Sequence, residues 1–165
     1  GLMTYTGIPK ASYHALSMAF RFSRRILQKG EHYIIGRTDS GYEILLYNES
    51  FYHDDYVGND PSVISFTSRY NVFEDVQDLD CHIELMAEEG TYSITRSLIS
   101  RRAGSSYDAW TRLGSPVDIS PEISRYLRRI STPELNYQIQ KTTGPMILDE
   151  ILEPHSVLHI EISKI

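Results

Sequence analysis

The spacing of apolar residues changes from helical to strand-like near residue 30. Between Pro9 and Gly30 the chain contains no further Gly or Pro, and apolar residues recur at helical spacing. Proline suits a first helical turn and glycine a helix end, so this segment predicts a helix over residues 10–28. Its apolar side chains fall on two opposite faces, with Tyr13, Leu16, Phe20 and Leu27 on one and Ala11, Ala15, Met18, Phe22 and Ile26 on the other. Because a surface helix needs only one apolar stripe, we expect this helix to pack between two bodies.

After residue 30, alternating apolar and polar residues predict strands. The predicted strands cover residues 32–38, 42–47, 79–88, 92–100, 135–140, 146–152 and 157–162. The first two are expected to form one hairpin and the next two a second, because Asp39-Ser40-Gly41 and Glu89-Gly90-Thr91 favour tight turns. From Cys81 to Ala87 apolar and polar residues alternate, which predicts one buried and one exposed face for this strand.

Two short helices are predicted between the strand groups. One begins near Ser105 and the other at Ser120-Pro121, where serine is a favoured cap and proline a favoured first helical residue. Residues 48–61 are polar, aromatic and acidic, and indicate a loop with one helical turn. The order of elements predicts a mainly β fold: an antiparallel, jelly-roll-like β-sandwich with an N-terminal helix and two short helical insertions.

Length and charge are typical of a one-domain globular protein and argue against a nucleic-acid-binding or membrane-spanning one. A chain of 165 residues can form one domain with a substantial core. The formal net charge of −6 argues against a nucleic-acid-binding surface, which needs clustered Lys and Arg. No apolar run approaches the roughly 20 residues that cross a bilayer, and no signal-peptide pattern is visible. We therefore expect no contact with nucleic acid or membrane and a cytoplasmic location. Cys81 is the only cysteine, which excludes an internal disulfide.

The candidate contact residues are aromatic. The chain has 12 tyrosines and 5 phenylalanines, and such rings suit both half-buried strand faces and sugar-binding surfaces. The loop at residues 48–60 is long, aromatic and expected to be exposed, which favours contacts with a ligand or another subunit. Trp110 lies near Tyr107 in a predicted helix, where it either stacks on a sugar or, together with Leu113, anchors the helix to the sandwich. The predicted ligand or interface contacts are Phe51, Tyr52, Tyr56, Tyr107 and Trp110.

Catalytic, metal and cofactor sites are not expected in this chain. Pairs of neighbouring carboxylates such as Glu88 and Glu89 lie beside a predicted turn or in a polar loop, where acidic residues are common without a catalytic role. His155 and His159 would share one face of an extended strand. Carboxylate or thiolate ligands at a spacing that suits a metal are missing beside them, and a hydrogen-bonding role is favoured for His155. We predict no catalytic residue, no metal site and no cofactor.

Three ordered segments carry a resemblance to a known family. The first is GLMTYTGIPKASYHA (residues 1–15), the second is SYDAWTRLGSP (residues 106–116), and the third joins ISTPEL (residues 130–135) to LEPHSV (residues 152–157). In this order they resemble the entry into the final barrel helix, a Y-x-x-W-x-x-(M/L)-G-x-P segment and the closing strands of glycoside hydrolase family 39, the β-xylosidase-like proteins. The stretch YLRRIS also resembles the family 39 modules that are fused to AraC-type transcription regulators.

The resemblance implies that a (β/α)₈ barrel carries the chemistry in the parent protein. The family uses two glutamates at the ends of barrel strands, and no position in this chain matches their motifs. Residues 1–30 would be the remnant of the last barrel strand and helix, and residues 31–165 the C-terminal β-sandwich domain. The implied function is a non-catalytic accessory domain of a xylan 1,4-β-xylosidase-like retaining glycosidase, which packs on its own barrel and takes part in a homo-oligomer.

Two alternatives remain open. The sandwich could be a carbohydrate-binding module with its own affinity for xylose-type sugars, or the sugar-sensing module of an AraC-type transcription regulator. Binding of xylo-oligosaccharides to the isolated chain would favour the carbohydrate-binding module over a purely structural domain. A DNA-binding segment upstream would favour the regulator.

Overall fold

A computed structural model of the protein describes residues 1–57, 64–65, 67–74 and 76–165, so residues 58–61 of the predicted loop lie outside the described part. The elements, in chain order, are α1 (Ala11–Arg21), β1 (Arg25–Lys29), β2 (Tyr33–Arg37), β3 (Gly41–Asn48), α2 (Asp54–Val57), a 3-10 helix (Arg69–Val72), β4 (Leu79–Leu85), β5 (Gly90–Ile99), α3 (Ser106–Arg112), α4 (Pro121–Ile130), β6 (Glu134–Thr142), β7 (Met146–Leu152) and β8 (Ser156–Lys164). In these ranges, no helix has the length and apolar character that crossing a membrane requires.

The strands form a two-layered antiparallel sandwich. Six of them make a large sheet in the order β1-β2-β3-β8-β5-β6, and β4 pairs with β7 in a small sheet. Alternate side chains of the large sheet point toward the small one, which buries Ile44, Ile94, Ile160 and Ile162 completely. The small sheet contributes Ile83, Leu85, Met146, Leu148 and Leu152 to the same core. The predicted mainly β, sandwich-like fold is therefore confirmed.

The two short helices begin where the sequence predicts. Ser105 caps α3 by accepting a hydrogen bond from the N–H of Asp108, and Ser120 caps α4 by accepting one from the N–H of Ile123. Pro121 is the first helical residue of α4. Each cap satisfies one of the N–H groups that a first helical turn leaves unpaired, so the local sequence is sufficient to start both helices.

The N-terminal helix is shorter than predicted, because the chain leaves it early and turns into a strand. α1 covers residues 11–21 instead of 10–28, and residues 25–29 form β1. Ser23 lies at the turning point. Its N–H donates to the Glu43 carboxylate at 2.6 Å, and its hydroxyl donates to a carbonyl of β2 at 2.6 Å. Both acceptors are distant in sequence, so helical spacing alone could not reveal where the helix ends.

α1 lies on the outer face of the large sheet, the face turned away from β4 and β7. Met18 packs there against Leu45 and Ile99. Gly36 makes room for the Phe22 ring, since a Cβ at this glycine would lie only 2.9 Å from a ring carbon. On the other side of the helix Phe20 is 85% exposed. Of the two apolar faces predicted for α1, one is thus packed on the sheet and the other is open.

The predicted domain boundary at residue 30 falls in the turn between β1 and β2. These two strands are hydrogen-bonded to each other. Residues 1–30 therefore contribute one strand to the sandwich, while the division into a barrel remnant and a sandwich domain stays a prediction.

The first predicted hairpin is confirmed and the second is wrong. β2 and β3 pair with each other as expected. β4 and β5 belong to different sheets, since β4 pairs with β7 whereas β5 pairs with β6 and β8. The chain crosses between the sheets after β4, where the hydroxyls of Tyr42 and Tyr92 donate to the carbonyls of Met86 and Glu88. The alternation predicted for β4 is right, because Ile83 and its inward neighbours face the core.

Candidate functional site

An open cleft of about 780 Å³ lies between the N-terminal segment, the segment that joins β3 to β4, and helices α3 and α4. Clefts of roughly 300–1,000 Å³ with apolar walls are typical of small-ligand sites. Six aromatic side chains line this one: Tyr52, Tyr56, Tyr70, Phe73, Tyr107 and Trp110. We call these six side chains the aromatic row, because neighbouring rings contact each other in the order Tyr56, Tyr52, Phe73, Tyr70, Tyr107 and Trp110.

The first half of the aromatic row comes from the segment that joins β3 to β4. The ring centroids of Tyr52 and Tyr56 are 4.9 Å apart, and the Tyr52 ring stacks on Phe73 at 4.9 Å with an interplanar angle of 19°. A short antiparallel bridge pairs Tyr52 with Phe73, in which the N–H of His53 donates to the carbonyl of Val72 at 2.8 Å. The backbone bridge, together with the stacked rings, fixes this wall of the cleft.

The second half of the row runs along the 3-10 helix and α3. Tyr70 lies 6.4 Å from Phe73 and 5.9 Å from Tyr107, and Tyr107 lies 6.1 Å from Trp110. The guanidinium of Arg69 lies 5.2 Å above the centre of the Tyr107 ring. Aromatic rings at such separations attract one another beyond the area that they bury, so the row is a continuous surface rather than separate contacts.

Asp108 fixes the middle of the aromatic row from behind. Its buried carboxylate accepts hydrogen bonds from the Tyr70 hydroxyl at 2.7 Å, from Nε of Arg101 at 3.2 Å and from the Ser105 hydroxyl. The Arg101 guanidinium also lies 3.9 Å above the Tyr70 ring. Burial, followed by the hydrogen bond to Asp108, raises the pKa of Tyr70. Tyr70 is therefore a neutral hydrogen-bond donor at every physiological pH.

His155 packs behind the row and does not form a pair with His159. Its ring centroid lies 4.6 Å from Phe73 and 4.9 Å from Tyr70, and its backbone has a positive φ of 60°. Burial, and then the charge of Arg101, lower the pKa of His155. The predicted shared face is wrong, because His155 precedes β8 in a turn whereas His159 lies within β8. The ring Nε2 of His155 is buried without a hydrogen-bond partner among the described residues.

The opposite wall of the cleft is the segment before α1. Ile8 is buried in a small cluster with Ala109 and Leu127 of the two short helices. The guanidinium of Arg128 donates to the carbonyls of Thr6 and Gly7. These contacts attach the N-terminal segment to α4, so its side chains form a fixed wall opposite the aromatic row.

Four of the five side chains predicted as contacts line this cleft together. They are Tyr52, Tyr56, Tyr107 and Trp110, whereas Phe51 is exposed outside the lining. Trp110 also packs against the cluster around Ile8, and its Nε1 donates to the carbonyl of Pro116 at 2.9 Å. It both anchors α3 and lines the cleft. Whether these side chains bind a ligand stays a prediction.

Sequence reasoning missed Tyr70 and Phe73, which complete the aromatic row. They lie in a stretch where the sequence predicts no helix or strand. Their positions depend on Asp108 and on the bridge to Tyr52, which come from other parts of the chain. The available signal was the close spacing of two aromatic residues in a polar segment.

The described residues that line the cleft include two cations and no carboxylate. The cations belong to Lys10 and Arg69. A retaining glycosidase needs two carboxylates about 5–5.5 Å apart. Asp108 lies behind the row, buried and engaged by three donors, so it is not available as a nucleophile or acid.

A second cluster of ionisable side chains lies on the outer face of the large sheet. Glu43, His159 and Glu161 each offer an atom within 4.8 Å of the others, which is close enough for metal ligands. The two oxygens of Glu43 are already engaged, one by the Ser23 N–H and the other in a hydrogen bond with Nε2 of His159, both at 2.6 Å. Four arginines also line the shallow pocket beside these carboxylates and oppose a cation: Arg21, Arg24, Arg25 and Arg37. The cluster therefore fits a structural role better than a metal site.

No protein-family model matches the sequence, and no curated protein matches it. Solved structures do match over the whole chain. One is a monomeric β-xylosidase from Caulobacter crescentus, with a TM-score of 0.77 and 19% identity over 33% of that chain. Another is the GH39 enzyme from Xanthomonas axonopodis pv. citri, with a TM-score of 0.77 and 17% identity over 32% of that chain. A glucosidase from Croceicoccus marinus matches with a TM-score of 0.58 and 14% identity over 33% of that chain.

The chain thus spans about one third of the length of the structures that it matches. At these identities the likeness concerns the fold. It confirms the architecture expected from the family resemblance, since the whole chain has the fold of about one third of a family 39 structure.

Proposed function

We propose that this chain is a non-catalytic accessory domain that packs on the (β/α)₈ barrel of a family 39 type glycosidase. The observation that carries the proposal is the open apolar face of α1, where Tyr13, Leu16 and Phe20 are exposed although the other face of the helix is packed on the sheet. A helix with two apolar faces is expected to lie between two bodies. The matched structures are about three times longer than this chain, which leaves room for a second body in the parent.

The catalytic carboxylates would then belong to the barrel, and the substrates would be xylose-type glycosides. This assignment is supported by the β-xylosidase among the matched structures and by the absence of a carboxylate from the described cleft lining. The cleft lies against the segment before α1, which in this proposal leads out of the last barrel strand. A cytoplasmic location remains part of the proposal.

The proposal is tested first on the native protein and then at Phe20. An intact mass with a peptide map should show a chain much larger than 19.0 kDa, with a barrel and its two glutamates before Gly1. Phe20→Ser should then lower the free energy of unfolding of the native protein by about 1.5–3 kcal/mol, because the barrel buries this ring. The change is measured by urea denaturation followed with circular dichroism.

The matched control for Phe20→Ser is the same substitution in the isolated chain. There the ring is 85% exposed, so the change should stay within about 0.5 kcal/mol. A native chain of 19.0 kDa, or equal effects in the two proteins, would contradict the accessory-domain proposal.

A second candidate function is sugar binding by the aromatic row, as in a carbohydrate-binding module or the sugar sensor of an AraC-type regulator. The continuous rings, the apolar walls and the cleft volume of about 780 Å³ favour it. Sugar rings stack on exposed aromatic faces and leave their hydroxyls to polar neighbours, and Lys10 and Arg69 are such neighbours in the lining.

Isothermal titration calorimetry of the isolated chain with xylotriose tests sugar binding by the aromatic row. Tyr52→Ala and Tyr56→Ala should each weaken binding about 2- to 13-fold, since one aromatic contact contributes about 0.5–1.5 kcal/mol. Tyr5→Ala is the control, because Tyr5 is fully exposed and does not line the cleft. Absence of binding, or equal weakening by Tyr5→Ala, would leave the cleft without a sugar-binding role. A helix-turn-helix segment in the peptide map would favour the regulator.

A further inference from the structure

β6 is an edge strand whose outer side carries no partner strand among the described residues. It forms the end of the large sheet and pairs only with β5, in a register that runs without interruption from Glu134 opposite Leu98 to Thr142 opposite Gly90. An edge strand presents a row of N–H and C=O groups that can pair with another strand. Natural sheets therefore protect their edges with bulges, charges, prolines or covering elements.

The other edge of the same sheet has such protection. β1 is five residues long, its register with β2 is broken between Ile26 and Gln28, and charged Arg25 and Lys29 stand at its ends. β6 is nine residues long, has no break in its register and contains no proline. Its charged residues stand near its ends, at positions 134 and 141. β6 thus lacks the short length and the broken register that protect the other edge of the described large sheet.

Three apolar side chains stand in line on one face of β6. Leu135, Tyr137 and Ile139 are 72%, 64% and 59% exposed. Tyr137 is paired with Thr95 of β5, which is paired with Glu161 of β8. Paired residues of an antiparallel sheet point to the same face, so these three side chains lie on the outer face of the large sheet. Burial of this stripe would be favourable.

The sequence of β6 is symmetric in residue class about Tyr137. Two residues away on either side stand the aliphatic Leu135 and Ile139, and between them stand the amides Asn136 and Gln138. An antiparallel pair of identical strands places residue i opposite residue 274 − i when Tyr137 lies on the two-fold axis. Each side chain of the central stretch then meets one of its own kind.

We propose that two copies of this chain join edge to edge through β6, antiparallel, with the two-fold axis at Tyr137. Leu135 of one copy lies opposite Ile139 of the second copy, the two Tyr137 rings meet, and the large sheets become one continuous sheet. Aliphatic and aromatic cross-strand pairs stabilise such a pairing, and a two-fold contact is closed, so assembly stops at the dimer. The inference specifies the homo-oligomer of the family resemblance and requires that the rest of the native protein leaves β6 uncovered.

An antiparallel register with the two-fold axis moved from Tyr137 to Gln138 is less favourable. A two-fold axis at Gln138 would place Leu135 opposite Lys141 of the second copy and would require pairing at Thr142, which is buried. The contact through a single strand and three apolar side chains is at the small end of specific interfaces, so we expect a dissociation constant on the order of micromolar. The matched Caulobacter enzyme described as monomeric is 19% identical, which is too distant to decide this surface.

Cysteine substitutions on β6 test the register in this chain. Opposed Cα atoms in an antiparallel pair lie about 4.5–5.5 Å apart, within the range that a disulfide spans. Tyr137→Cys should therefore form a covalent dimer under mild oxidation, as seen by non-reducing electrophoresis. Leu135→Cys alone should not, because its own copy lies about 14 Å away across the axis, and the same holds for Ile139→Cys. A mixture of Leu135→Cys and Ile139→Cys, which keeps Tyr137, should form a covalent heterodimer.

The wild type, which keeps Cys81, is the control and should remain uncross-linked. A monomeric Tyr137→Cys protein together with an unreactive mixture would overturn the proposal. So would dimers of Leu135→Cys alone, or a Gln138→Cys dimer without a Tyr137→Cys dimer, since these report another register. The native protein must give the same pattern, because a barrel that covered β6 would abolish the cross-link. These outcomes are independent of the Phe20 experiment, so failure of one proposal is distinguishable from failure of the other.

Discussion

His159→Ala is expected to lower the free energy of unfolding by about 3–5 kcal/mol, because it removes the hydrogen-bond partner of a buried carboxylate and leaves a cavity. His159 and Glu43 are 6% and 5% exposed, and Nε2 of the histidine lies 2.6 Å from the Glu43 carboxylate. Without the imidazole, one oxygen of the buried Glu43 carboxylate loses its partner and only the bond from the Ser23 N–H remains, which is unfavourable in the interior. Equilibrium urea denaturation at neutral pH measures the loss.

The chain contains its own matched control for this prediction. His82 and Asp149 form a pair of the same chemical type and the same 2.6 Å separation, but both side chains are exposed. His82→Ala should change the free energy of unfolding by less than about 1 kcal/mol, because water solvates the remaining carboxylate. Similar losses in the two variants would mean that the burial of Glu43 does not determine the effect.

Ile160→Ala is expected to lower the free energy of unfolding by about 2–5 kcal/mol, since a completely buried side chain leaves a cavity behind. Ile160 lies in the central strand β8, opposite Ile44 of β3, and faces the small sheet. The control is Ile151→Ala in β7, where the side chain is exposed and the expected change is below about 1 kcal/mol. Thermal and urea denaturation should agree, and a small loss at Ile160 would contradict a tightly packed interface between the sheets.

Seven of the eight described strands and the two helix starts could be read from the sequence, because they depend on local residues, whereas β1 was predicted as part of the first helix. Alternation around Ile83 shows which face is buried, and Ser105 and Ser120 supply caps three residues ahead of the groups that they bind. Which strands pair with each other could not be predicted in the same way. A turn such as Glu89-Gly90-Thr91 allows a hairpin, but the choice between one sheet and two depends on core packing that no local pattern records. For that reason the predicted pairing of β4 with β5 was wrong.

The end of α1 and half of the aromatic row depend on contacts between distant parts of the chain. Glu43 binds Ser23 from 20 positions further along the sequence, and the helix stops there. Asp108 binds Tyr70 across 38 positions and thereby places a ring whose position local patterning does not predict. The exposure of the aromatic loop around Tyr52 could be predicted because composition alone indicates it, and its role as a contact surface stays a prediction.

The double attachment of α1 has a mechanical consequence. The segment before the helix contacts α4 through Ile8 and Arg128. The segment after the helix is hydrogen-bonded to the sheet through Ser23. Neither end of the helix is a flexible tether. A barrel that shared this helix would be connected to the sandwich without a flexible linker. The two bodies would then tumble in solution with a single rotational correlation time. A ligand held between them would meet a preset gap, with no hinge to close.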